Sequence, residues 1–130
     1  MLSKGIRDEE NERINRMITH LLEMKFVSDS WLLEQKPKVD ATLKEIIDLE
    51  IIEILKTSSE ELLDILKSKN FQEDHYESFG DLLLNISDME PQHQHNLAEK
   101  SLAIYQFAQK QSNTFSISLN QKIQETKGPL

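Results

Sequence analysis

The chain contains no cysteine. That excludes a disulfide framework, a thiolate nucleophile and a cysteine-ligated zinc. Glycine and proline number three each. A β-sandwich or barrel needs many more turn residues at short, regular spacing. Positive charge is scarce as well: 15 Lys and Arg stand against 23 Asp and Glu, a net charge of −8. The basic footprint of a nucleic-acid binder is therefore absent. No apolar run approaches the ~20 residues of a membrane span. Residues 1–12 are polar and lack the apolar middle of a signal peptide. The expectation is a soluble, cytoplasmic, acidic protein.

What is present argues for helices. The 130 residues suffice for one domain. Leu and Ile dominate the apolar set, and Leu, Ile, Val and Phe together exceed the ~20% below which disorder is the default. Gly5, Gly128 and Pro129 lie near the ends, so only Gly80, Pro37 and Pro91 interrupt the interior. Abundant Leu, Glu, Lys and Gln with few breakers favours an all-α fold. A single helical domain over 1–130 is expected, with 1–6 and 127–130 as frayed tails.

Ile14, Met17, Ile18, Leu21 and Leu22 make one apolar stripe, predicting a first helix over about 7–26. Lys36 precedes Pro37 and is pushed from helical angles, which predicts a boundary there. Pro37 suits the first turn of the next helix, carrying Val39, Leu43, Ile46 and Ile47. The run 49–55 fits a helical continuation, a separate short helix or a strand; helix is favoured because nothing else offers a sheet partner. Ser58 and Glu61 have capping-box spacing ahead of Leu62, Leu63, Ile65 and Leu66. Longer helices follow over about 73–89 and from near Pro91 to Ala108. Thr114 or Ser116 caps a last helix with Ile117, Leu119 and Ile123. The sum is five or six antiparallel helices with short joints.

Residues 76–108 resemble a tetratricopeptide repeat. Tyr76, Phe79, Gly80 and Leu83 follow its large-large-small-large series, and Ser101, Tyr105 and Ala108 its small-aromatic-small series. Gly80 lets the neighbouring helix approach, Ser101 and Ala108 do so from the other side, and Phe79 and Tyr105 fill the space between. The gap from Gly80 to Ser101 is about nine residues longer than usual, serine replaces the usual alanine, and the closing proline is missing. The stretch KSLAIYQFAQKQSNTFSISLNQKI, with Tyr105, Thr114, Phe115, Ser116, Lys122 and Ile123, is similar to the end of an uncharacterised bacterial family with tetratricopeptide-like helices. VDATLKEIIDLE at 39–50 fits that family's second helix. The resemblance implies a right-handed array of helical hairpins and carries no activity, cofactor or ligand set.

Candidate chemistry is sparse. His93 and His95 at i, i+2 point apart on a helix. Glu90 and His93 have the E-x-x-H spacing of di-metal bundles, but only one such motif occurs. His75 and His20 read as a solvated and a core-boundary histidine. Asp8–Glu10 and Glu60–Glu61 read as helix N-terminal charges. There is no phosphate loop, G-x-S-x-G or H-E-x-x-H. Thr114-Phe115-Ser116 reads as a cap and a plug rather than a functional tripeptide. Trp31, the single tryptophan, is a candidate interface anchor, but burial in the core is the favoured reading.

No catalytic, cofactor or metal residue is assigned. The sequence points to a non-catalytic protein–protein interaction or scaffold module, forming a homodimer or taking a basic or neutral protein partner, with no nucleic acid and no membrane. An accessory subunit built around a fixed partner is indistinguishable from it at this level. The alternative is a helical bundle binding a small ligand or metal, with enzyme activity, in which at least three of His20, His75, His93, His95 and nearby Glu converge.

Overall fold

The computed structural model describes residues 2–112, 116–128 and 130, with side chains from Glu9 onward. These residues form seven helical runs and no strand: α1 (Leu2–Glu23), α2 (28–47), α3 (Ile51–Lys56), α4 (Ser59–Ser68), α5 (Glu73–Met89), α6 (91–111) and α7 (Ile117–Lys127). The fold is all-α. Helix α1 begins at Leu2 rather than near Arg7, and ends at Glu23 rather than Phe26.

One interior boundary departs from expectation as well. No break occurs at Lys36. Helix α2 runs through it by widening into a π-turn over Trp31–Gln35, where the Lys36 N–H donates to the Trp31 carbonyl. Pro37 explains the device. Its ring has no N–H and crowds the carbonyl four residues back, and an opened turn ahead of it removes the conflict without ending the helix. The run 49–55, open between a helical continuation, a separate short helix and a strand, contains a short helix of its own, and the described residues form seven helices rather than five or six. Asp48 adopts a left-handed conformation, φ 63°, and its N–H closes on Lys44. Residues 51–56 therefore restart as a separate helix instead of extending α2. The restart is well capped: Glu53 accepts from the Glu50 N–H at 2.9 Å, and Asp40 accepts from the Ile51 N–H at 2.8 Å.

The cap at Ser58 is present, its Oγ accepting from the Glu61 N–H at 3.1 Å. Just beyond the end of α4, Asn70 is again left-handed, φ 61°. The chain then drops Phe71 into the core, where its ring meets those of His75, Tyr76 and Phe79 within 5.7 Å.

Helix α5 is the centre. It packs against α1 on one side and α6 on the other. Ile14, Ile18 and Leu21 of α1 and Phe79, Leu82, Leu83 and Ile86 of α5 are all buried. Helices α5 and α6 are antiparallel: Tyr76 faces Phe107 at 5.0 Å, while Gly80 lies against Tyr105 and Ser101. A Cβ on Gly80 would sit 2.5 Å from Tyr105 Cε1. Ser101 Oγ donates to the Gly80 carbonyl at 2.8 Å, tying the helices at the same point. Ser116 Oγ caps α7 by accepting from the Leu119 N–H at 3.1 Å.

Because Tyr105 is buried, its ring cannot swing into solvent to accept a methyl group. Gly80→Ala gains up to ~1 kcal/mol of helix propensity but overpacks the joint by ~1–3 kcal/mol. Urea denaturation should show a net loss of about 1–2 kcal/mol. Unchanged or increased stability would show that the two helices are not held at this distance.

Candidate functional site

A concavity of about 510 Å³ lies between α5, α6 and α7. Asp81, Leu84, Asn85 and Asp88 recur along one face of α5 at i, i+3, i+4 and i+7, which aligns them into one wall. His95, Ala98 and Tyr105 come from α6, and Lys122, Glu125 and Thr126 from α7. Leu84 and Ala98 supply apolar surface.

At one end sits a closed polar network. The Tyr105 hydroxyl donates to Asp81 Oδ1 at 2.5 Å. Lys122 Nζ donates to Asp81 Oδ2 at 2.9 Å and to Glu77 Oε2 at 2.6 Å. Burial, reinforced by the Asp81 carboxylate, pushes the Tyr105 phenol far above its ordinary value. For Lys122, burial alone would lower the ammonium, but the bonds to Glu77 and Asp81 outweigh it and raise it. A phenol that holds its proton, a lysine locked as a cation and a carboxylate with both oxygens engaged have no free base or nucleophile among them. The network fixes α7 to α5 and α6. The rim differs. Asp88 is exposed and has no hydrogen-bond or ion-pair partner among the described residues, and Glu125 is exposed and accepts only from Gln121 at 3.1 Å.

The four histidines do not converge. His75 is buried at the start of α5. Its Nδ1 accepts from the Gln72 N–H at 2.9 Å, so its Nε2 carries the hydrogen that faces the Asn11 carbonyl at 3.2 Å. It is a capping residue of the core rather than a solvated one. His95 is exposed and pairs with Glu99 at 3.1 Å. His20 is exposed on α1, not at the core boundary. Among the described residues no three His, Asp or Glu side chains come together as an ion-holding group.

Glu90 has a different role from the one its E-x-x-H spacing suggests. It is 5% exposed and accepts from Trp31 Nε1 and from Lys36 Nζ, both at 2.8 Å. Trp31 is 3% exposed and packs against Phe26 in a tilted pair, with centroids 4.9 Å apart and planes at 53°. Trp31 is thus buried, as the favoured of its two readings has it, and hydrogen-bonded to a carboxylate 59 residues away. Gln35 completes the knot, donating to the Lys25 carbonyl and accepting from the Val27 N–H. The π-turn places Trp31, Gln35 and Lys36 on this node. Burial alone would raise the Glu90 carboxyl, but the Lys36 and Trp31 hydrogen bonds and the Lys36 charge hold it below its ordinary value. No local spacing in the sequence signals this node.

Lys100 was likewise not singled out. It is buried, donates to Asn96 Oδ1 at 2.6 Å, and Asn96 in turn donates to the Leu55 carbonyl. Burial lowers its ammonium against the opposing pull of Glu99. Of the residues read as a structural motif, Tyr76, Phe79, Gly80, Leu83, Ser101, Tyr105 and Ala108 are buried on α5 and α6. Thr114 and Phe115 lie outside the described residues.

No protein-family model, curated protein or solved structure matches the chain. Among the described residues no helix is long and apolar enough to cross a membrane.

Glu90→Gln keeps the shape and an acceptor for Trp31 but removes the charge facing Lys36. It should cost about 1–2 kcal/mol near neutral pH. A carboxyl depressed in the folded state stabilises above its unfolded value and loses that contribution as pH falls through the folded value. The gap between wild type and variant should therefore close as pH falls below the ordinary 4.5. Denaturant midpoints across pH measure this, and a gap independent of pH would contradict the assignment.

Proposed function

We propose that the chain is a non-catalytic protein–protein interaction or scaffold module built from tetratricopeptide-like, right-handed helical hairpins. The observation that carries the reading is the groove. Its innermost polar groups are consumed by one another, while its rim acids Asp88 and Glu125 face outward. A site arranged for chemistry would keep a base or nucleophile free; a surface arranged for contact has no such need. The close approach at Gly80 and the Ser101 bond to its carbonyl support the hairpin reading, as does the likeness of residues 97–123 to the uncharacterised bacterial family. A cytoplasmic location fits an acidic chain without cysteine.

Self-association belongs to the same reading. Leu32 and Leu33, on the outer side of the π-turn, are 66% and 85% exposed beside the buried Trp31. Two adjacent leucines held in water by a helix are the surface a second copy would cover.

Native mass spectrometry of the tagged chain, purified gently from its own cells, tests this directly. The expected species is the chain with a protein partner or with a second copy, and Leu32→Ser with Leu33→Ser removes the second copy. The chain alone, or carrying a stoichiometric metal or small molecule, would contradict the reading and favour a ligand-binding bundle.

A further inference from the structure

We propose that the groove between α5, α6 and α7 takes a basic, amphipathic segment of a partner protein. This rests on the interaction reading and specifies its face and its chemistry. The charge count around the groove is decisive. Lys122 is outnumbered by the two carboxylates it binds, Glu77 and Asp81. Asp88 and Glu125 add two more negative charges at the rim with no cation bound to either among the described residues. The chain as a whole carries −8, so nothing in its far field reverses that sign.

The groove is not simply acidic. Leu84 and Ala98 form apolar surface between the rim acids and the Tyr105 network. Lysine and arginine side chains suit such a surface, because their methylene stems lie along apolar walls while their heads reach charge. A polyanion is repelled, and a purely apolar segment would leave the Asp88 and Glu125 charges desolvated without a cation. A volume of about 510 Å³ holds a few side chains, which fits a short segment rather than a folded domain.

The test uses a fluorescein-labelled Lys/Leu peptide, a Glu/Leu twin of equal length, and spermidine. Anisotropy gives affinity, and amide shifts of the isotope-labelled protein give location. The Lys/Leu peptide should bind, weaken with added salt, and shift amides around Leu84, Ala98 and Glu125. Asp88→Asn with Glu125→Gln should weaken it about tenfold or more. Glu60→Gln with Asp64→Asn makes the same charge change on α4 and should leave affinity unaltered. Binding that ignores the first pair, shifts centred on Leu32 and Leu33, equal binding of the Glu/Leu twin, or binding of spermidine alone would each overturn the proposal. A native partner whose contact survives Asp88→Asn with Glu125→Gln would overturn this groove assignment while leaving the interaction reading intact.

Discussion

The ring of Tyr105 rests on the backbone of Gly80 with no space for a methyl group between them. That close approach sets the distance between α5 and α6, and most of the molecule is positioned by those two helices. The Ser101 hydroxyl fixes their register by bonding the Gly80 carbonyl. The Tyr105 hydroxyl, projecting past the joint, reaches Asp81 and so organises Lys122 and α7. One small residue thus determines the core of the hairpin and the closed end of the groove. Burial of apolar surface supplies the driving force, and the absence of a single Cβ determines where the helices settle.

A second constraint acts at the other side of the chain. Glu90 lies between α5 and α6 and holds the π-turn of α2 through Trp31 and Lys36. A buried carboxylate contributes little net stability over a well-packed apolar group, but losing one partner leaves the others unpaired in a dry site. The node therefore acts chiefly as a positional lock. It holds the bulged part of α2 against the α5–α6 corner, and it turns Leu32 and Leu33 outward.

Much of the architecture was legible because it depends on local periodicity. The stripes of α1, α5 and α6 recur every three or four residues, and Ser58 and Ser116 cap the helices that follow them. The small residues of the hairpin were legible too, since Gly80 and Ser101 stand at the small positions of the repeat pattern. What could not be read depends on distant partners or on unusual turns. The sequence forbids an ordinary helix through Pro37, but whether the chain breaks or bulges depends on Trp31 finding Glu90, 59 residues on. The left-handed Asp48 that separates α2 from α3 is a conformation many aspartates never adopt. His75 looked solvated because its partners are the backbones of Gln72 and Asn11, the latter on another helix. The groove was illegible for the same reason: it exists only where three helices meet.

Native-state hydrogen exchange most directly tests whether the α5–α6 joint organises the rest. Amides of α5 around Gly80 and of α6 around Tyr105 should be the slowest in the chain, exchanging only through global unfolding, while α3 and the first turns of α2 open earlier. If α5 and α6 exchange ahead of α1 or α4, the joint is not the organising contact and the account fails at its centre.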